Sequence, residues 1–164
     1  MATAAATDRL VGLLVTRPGR VRSPAVRLAV YVLTAGGAGM LAWSGVIHVR
    51  LWSQGYEAVP TIGPLFLAQG IGSLALAAAL VLVRCVALMA AGAVTLAATA
   101  AGLLLSVHTG LFGYRESLVV PYAAETLVIE FAGAAILALA AAVTLVAVRG
   151  EPGPGLSRRG RGPG

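Results

Sequence analysis

The sequence has few charged residues and only one cysteine. Charged residues make up 11% of its 164 positions, whereas a typical soluble domain has about 25%. Cys85 alone cannot form an internal disulfide, and no Cys-x-x-Cys pair is present for redox chemistry. Phosphate-binding loops, nucleophile elbows and His-Glu-x-x-His zinc motifs are also missing. None of these motifs is therefore present to indicate an enzymatic activity.

Hydrophobic residues, by contrast, make up 59% of the chain, and the mean hydropathy is +0.90. A chain this short has too little interior to bury so much apolar surface in a soluble core. Runs of about 20 apolar residues are typical of helices that cross a bilayer. The composition therefore predicts an all-α integral membrane protein, with the lipid bilayer as its first partner.

Four apolar segments are separated by polar or turn-forming residues. The segment from Leu65 to Val107 would rise roughly 65 Å as a single helix, about twice the hydrocarbon thickness of a bilayer. We therefore expect it to fold back at its lone charge, Arg84. The prediction is a four-helix bundle over residues 25–148, with spans at about 25–49, 65–83, 86–107 and 123–148.

The positive charge lies mainly on one side of this predicted bundle. All 12 basic residues are Arg, and all but Arg50 and Arg115 lie beside the chain ends or the hairpin. Because such residues favour the cytoplasmic side, we expect a multi-pass protein of the inner (plasma) membrane with cytoplasmic termini. Residues 1–24 would form a cytoplasmic segment, and residues 149–164 a disordered basic tail that contacts anionic lipid. The charge follows the spans, so nucleic acid is not an expected partner.

Small residues and aromatic residues suggest how the spans pack and where the bilayer ends. Helices in lipid associate through close backbone approach, which small residues permit. The candidates are Gly36, Gly37 and Gly39 in the first span, Ala98, Gly102 and Ser106 in the third, and Ala134, Ala138 and Ala142 in the fourth. An interfacial aromatic belt is predicted at the outer boundary from Trp52, Tyr56, Phe66, Phe112, Tyr114 and Tyr122.

The polar residues of the spans fall in the outer half of the predicted bundle. The candidates for a ligand or proton site are His48, Gln69, His108, Glu125 and Glu130. In the adjoining loops, we expect Arg50, Glu57, Arg115 and Glu116 to form a solvated surface. No catalytic residue is predicted.

Glu130 is the most unusual of these residues. It lies seven residues beyond Ala123, which places it roughly 10 Å along the last span. A carboxylate near the bilayer centre costs on the order of 2.5–3.5 kcal/mol. Glu130 could form a hydrogen bond that fixes the helix register, for example to Gln69. Alternatively, it could belong to a proton or cation relay, or bind a metal ion, a haem or a lipid headgroup. Glu125 is about 140° away around the helix, so we expect it at the outer interface.

His48 and His108 end two different spans on the same side of the predicted bundle. Two imidazoles can clamp a haem or, together with a Glu, bind a metal ion. No His-x-x-x-His or Cys-x-x-Cys-His motif accompanies them. A haem or metal cofactor is therefore left open, and none is assigned.

The sequence resembles a group of known membrane proteins. The stretches GVIHVRLWSQGYEAVPTIGPLFLAQGIGSLALA and GLFGYRESLVVPYAAETLVIEFAGAA are similar to small four-span actinobacterial membrane proteins without an assigned function. The layout also resembles DoxX-like proteins, in which one span ends in His and the next opens with Pro, Phe and Gln. Here these residues are His48, Pro64, Phe66 and Gln69. The resemblance covers about residues 30–140; it implies a four-helix membrane fold and supplies no catalytic residue.

The favoured function is that of a non-enzymatic membrane protein, an accessory or assembly subunit or a ligand-binding protein that uses the outer polar cluster. A proton- or ion-coupled small transporter with Glu130 as its titrating group is one alternative. A haem or metal redox protein that uses His48 and His108 is another. Association with a second copy of the chain or with a membrane complex is left open.

Overall fold

Four long helices account for most of the computed structural model, which describes residues 7, 8 and 11–150. Each of the four is long and apolar enough to cross a membrane. The described residues contain no strand beyond one isolated bridge in a connection. The all-α fold is confirmed, and the helices suggest a multi-pass membrane protein. Their bounds are α1 Pro24–Ser53, α2 Ile62–Val83, α3 Val86–His108 and α4 Ala123–Arg149.

Helix α1 begins with Ser23 as its N-cap, whose side chain accepts a hydrogen bond from the Val26 N–H, followed by Pro24. Proline is well suited to the first turn, where its missing N–H has no intrahelical partner to lose. The same reason lets α2 contain Pro64 in its first turn, so this helix begins three residues before the predicted Leu65. Arg84 adopts the left-handed conformation (φ 49°) that ends α2, and the hairpin lies where the sequence predicted it.

The helices do not pack in the order of the chain. Helix α1 packs extensively against both α2 and α4, and α4 packs extensively against α3. Helices α2 and α3, although joined by a tight hairpin, make few contacts with each other. The order around the bundle is therefore α2, α1, α4, α3, with a loose seam between α2 and α3.

The two ends of the bundle differ. At the loop end, residues 54–61 join α1 to α2 and residues 109–122 join α3 to α4. At the opposite hairpin end, the N-terminal segment packs beside the short α2–α3 connection. The carbonyl of Thr16 accepts a hydrogen bond from the Val86 N–H, which has no partner within α3. Thr16 and Val21 are both buried, so part of the predicted N-terminal segment belongs to the folded bundle.

The helices approach one another most closely where glycines of α1 and α3 face a leucine side chain of α4. A Cβ atom on Gly37 of α1 would lie 2.5 Å from the Leu137 side chain, and one on Gly92 of α3 would lie 2.7 Å from it. Leu137 itself is fully buried. At another contact, a Cβ atom on Gly45 would lie 2.9 Å from the carbonyl oxygen of Gly70. Backbone approach at glycines therefore holds α1 against α2 and α4, as expected for helices in lipid.

Several of the small residues predicted to pack do not do so. Ala138 and Ala142 of α4 are exposed, because the packing face of this helix is the one that carries Leu137. A Cβ atom on Gly36 or Gly39 would meet no atom within 4 Å. Four-residue spacing defines a helical stripe but does not say which stripe faces the neighbouring helix.

Candidate functional site

A cavity of about 300 Å³ lies in the loop-end half of the bundle. All four helices and both long connections contribute to its wall, which is mainly apolar. Leu65 and Phe66 of α2 and Gly102 and Leu103 of α3 line it on either side of the loose α2–α3 seam. A cavity of this size and lining is typical of sites for small molecules.

The small residues of α3 form part of this wall. Ala98, Gly102 and Ser106 were predicted to pack against another helix, but all three line the cavity. A Cβ atom on Gly102 would meet no atom within 4 Å. The small side chains thus leave space beside α3 instead of bringing a helix close, and the prediction for this stripe is corrected.

Aromatic rings line the cavity near the loop end. The rings of Tyr56 and Phe66 are stacked with centroids 4.6 Å apart, and Tyr114 meets Tyr56 edge-on at 5.8 Å. The His48 ring lies 5.1 Å from that of Phe66. Tyr56, Phe66 and Tyr114, three residues of the predicted aromatic belt, contact one another around the cavity.

Glu116 is also part of the cavity wall. Its Oε2 accepts a hydrogen bond of 2.6 Å from the Tyr56 hydroxyl, and its Oε1 accepts one of 3.0 Å from the Ser117 N–H. Burial, and then the hydrogen bond to Glu116, raises the pKa of the Tyr56 hydroxyl, so Tyr56 stays a donor. Glu116 is half-buried, which differs from the fully solvated position expected for this loop residue.

Gln69 joins the two sides of the seam. Its side-chain amide donates to Thr99 Oγ1 of α3 at 2.6 Å and to Ser73 Oγ of its own helix at 3.1 Å. Gln69 and Thr99 both line the cavity. Gln69 was suggested from the sequence as a hydrogen-bond partner of Glu130, but its amide bonds to Ser73 and Thr99 instead.

Thr126 carries an unsatisfied hydroxyl at the cavity. Its side chain lines the cavity and is 4% exposed, yet Oγ1 has no hydrogen-bond partner among the described atoms. An unpaired buried hydroxyl costs about 1–3 kcal/mol. Among the described residues of the wall, Thr126 is therefore the one with a buried side-chain oxygen that has no partner. Thr126 is not among the site residues predicted from the sequence, because the hydroxyl of a Thr in a helix normally bonds to its own backbone.

Glu130 lies one helical turn deeper than Thr126 and does not line the cavity. It is 0% exposed, and its Oε1 accepts a hydrogen bond of 3.0 Å from Ser44 Oγ of α1. Its Oε2 has no partner among the described atoms. His48 lies four residues beyond Ser44 in the direction of the loop end, and it lines the cavity as Thr126 does. Since four residues rise about 6 Å, the layer of His48 and Thr126 separates the Glu130 carboxyl from the cavity.

The remaining candidates lie outside the cavity wall. Glu125 is exposed and accepts a hydrogen bond of 2.8 Å from Trp43 Nε1–H, so the expected separation of the two carboxylates is observed. His108 is exposed, and its backbone carbonyl accepts a hydrogen bond of 2.7 Å from the Arg115 guanidinium.

The two histidines thus occupy different surroundings. His48 is buried at the cavity, with Nδ1 2.8 Å from the Ser44 carbonyl oxygen, whereas His108 does not line the cavity. In the part of the chain that the structure describes, no three His, Cys, Asp or Glu side chains form a group that could hold a metal ion. A shared haem or metal site remains a sequence prediction without a corresponding arrangement of ligands.

Of the predicted basic tail, residues 149–164, Arg149 is the last residue of α4, and residues 151–164 lie outside the described residues. No protein-family model, no curated protein and no solved structure matches this chain. The resemblance to DoxX-like proteins accordingly stays a prediction, and the function has to be argued from the cavity and the residues around it.

Proposed function

We propose that this protein is a non-enzymatic membrane protein that binds a small, mainly apolar molecule in the loop-end cavity. The observation that carries the proposal is the cavity of about 300 Å³ with its mainly apolar wall, which includes Thr126 and its unpartnered hydroxyl. A bound molecule with one polar group would satisfy this hydroxyl, while its apolar part would fill the space beside Gly102. Binding would thereby offset the cost of a buried hydroxyl without a hydrogen bond.

The packing of the helices supports entry from the bilayer. Helices α2 and α3 make few contacts, and both contribute residues to the cavity wall along their seam. An apolar molecule dissolved in lipid would reach the cavity through this seam without crossing water. With both termini in the cytoplasm, as the distribution of Arg favours, the cavity would lie in the outer half of the membrane.

The experiment is to fill the cavity and measure binding. Gly102→Leu adds a side chain where a Cβ atom meets nothing within 4 Å, so it occupies the cavity without a clash at Cβ. The matched control is Gly72→Leu, at an exposed position of α2 where a Cβ atom also meets nothing. We expect saturable binding of radiolabelled n-decanol to protein in nanodiscs, lost in Gly102→Leu and kept in Gly72→Leu. Equal binding by all three proteins would refute the proposal.

A second candidate function is proton- or ion-coupled transport through Glu130, as an alternative role for the same half of the bundle. The observation that favours it is the unpartnered Oε2 of this buried carboxyl, one turn below the unpartnered Thr126 hydroxyl. Ionisable side chains inside a membrane commonly mark proton or ion paths. The test is proton flux into liposomes containing the purified protein. We expect flux that Glu130→Gln abolishes while the protein stays folded; flux unchanged by Glu130→Gln would remove this candidate.

A further inference from the structure

Among the described residues, the cavity wall has one acidic side chain, that of Glu116, and no Lys or Arg. Arg115, next to Glu116 in the chain, uses its guanidinium to donate to the carbonyls of Val107 and His108. An anionic group in the cavity would therefore face a carboxylate without a basic partner, and an unpaired charge in such a place is costly.

The hydrogen-bonding groups of the wall are mostly acceptors. Both amide hydrogens of Gln69 are used, on Ser73 and Thr99, which leaves its carbonyl oxygen for a ligand. The Tyr56 hydroxyl donates to Glu116. His48 Nδ1 lies 2.8 Å from a carbonyl oxygen, which can only accept, so in the neutral ring Nε2 is an acceptor.

The aromatic side of the cavity adds a preference of the same kind. The stacked rings of Tyr56 and Phe66, with Tyr114 edge-on, lie beside Glu116 in the wall. The faces of aromatic rings attract cations, and the attraction grows where water is excluded. The carboxylate and the acceptor atoms thus favour the same class of polar group as the aromatic rings beside them.

On this basis, and resting on the function proposed above, we propose that the bound molecule is an amphiphile whose polar end donates hydrogen bonds and is not an anion. An alcohol or a protonated primary amine on a hydrocarbon chain has this chemistry. The polar end lies between Glu116 and the Thr126 hydroxyl, and the chain lies along Gly102 towards the α2–α3 seam.

The test compares three molecules with the same chain: n-decylamine, n-decanol and n-decanoate. Their binding to protein in nanodiscs of uncharged lipid is measured at neutral pH, with the Gly102→Leu variant defining non-specific partition. We expect the amine and the alcohol to bind at least about tenfold more tightly than the carboxylate, a difference of roughly 1.4 kcal/mol. Glu116→Gln should reduce the preference for the amine over the alcohol severalfold, because it removes the negative charge that faces the ammonium group.

Glu57→Gln is the matched control, since it removes the same charge from the other long connection, at an exposed residue that does not line the cavity. It should leave all three affinities unchanged. Binding of n-decanoate as tight as that of n-decanol would overturn the inference and leave the cavity function standing. An equal effect of Glu57→Gln and Glu116→Gln would also overturn it, because the preference would then come from the general surface charge. If none of the three molecules binds above the Gly102→Leu background, the proposed function itself fails.

Discussion

Replacing Thr126 by Val should change stability and binding in opposite directions. Val has nearly the shape of Thr, so the change removes the hydroxyl and leaves the packing of α4 in place. A buried hydroxyl without a partner destabilises the fold by about 1–3 kcal/mol, so its removal should eliminate part of that destabilisation. We expect the ligand-free variant to be more stable than the wild type by about 1 kcal/mol, measured as the free energy of unfolding in mixed micelles.

The same change should weaken ligand binding. A hydrogen bond between a ligand and Thr126 contributes a net 0.5–1.5 kcal/mol, or about two- to tenfold in affinity. We therefore expect n-decanol to bind the Val variant about two- to tenfold more weakly, although the cavity keeps its size. A more stable protein that binds less well is difficult to explain by general damage to the fold.

Thr144→Val is the control for this pair of measurements. Thr144 lies on the same helix and is fully buried, but its Oγ1 donates to the Ala140 carbonyl at 2.7 Å. Its replacement should lower stability by about 0.5–1 kcal/mol and leave binding unchanged, since Thr144 does not line the cavity. If Thr126→Val destabilised the protein as much as Thr144→Val does, the Thr126 hydroxyl would have a partner and the reasoning would be refuted.

Three further predictions concern the packing and polar contacts of the bundle. Gly37→Ala should destabilise the protein by about 1–3 kcal/mol, because its Cβ atom would lie 2.5 Å from a buried side chain. Gly36→Ala, at an open position, should stabilise it by about 0.5–1 kcal/mol. Equal unfolding free energies of the two variants would contradict the packing. Ser44→Ala should lower the free energy of unfolding by about 1–3 kcal/mol, because it leaves both carboxyl oxygens of Glu130 unpaired. A double-mutant cycle with Glu130→Gln measures the coupling energy between the two side chains. A coupling energy of zero would exclude the hydrogen bond. Because the pKa of the Tyr56 hydroxyl is raised, the folded state keeps this proton above pH 10.0, the ordinary pKa, while the unfolded state loses it. The contribution of Tyr56 to stability is therefore fully present below pH 10.0 and is lost as the pH rises above that value. Tyr56→Phe should remove that part of the alkaline loss in an unfolding titration, and an identical loss in both proteins would be the contrary result.

The four-helix fold could be predicted from the sequence because the thickness of the bilayer sets the length of a membrane-spanning helix. Apolar runs of the required length, together with one lone Arg84 inside a run twice too long, are enough to predict four helices and the hairpin. The helix ends differ by a few residues, as at Ile62, because the first turn of a helix tolerates Pro64.

The arrangement of the helices and the cavity were much harder to predict. An alanine-rich helix offers small residues on every face, so Ala138 and Gly102 looked alike in the sequence although one is exposed and the other lines the cavity. The depth of Glu130 was predictable from the helical rise, but its partner Ser44 was not, since the order of helices around the bundle cannot be derived from hydropathy.

The role of the long connections was missed for a related reason. Glu116 and Tyr114 lie in a loop, and loop residues are expected to be solvated. Here the connection folds over the end of the bundle, so that Tyr114 contacts Tyr56 and Glu116 accepts its hydroxyl. The distance along the chain between these residues hides the contact from any local pattern.

Photolabelling in the bilayer tests the central claim, a lipid-accessible binding cavity, most directly. A decanol that carries a photoactivatable diazirine is irradiated with the protein in nanodiscs, and the labelled residues are mapped by mass spectrometry. We expect adducts on cavity residues such as Phe66 and Gly102 that excess n-decanol suppresses. Adducts confined to outward-facing residues such as Leu82 (81% exposed) and Val94 (67% exposed), with no suppression by n-decanol, would contradict the account.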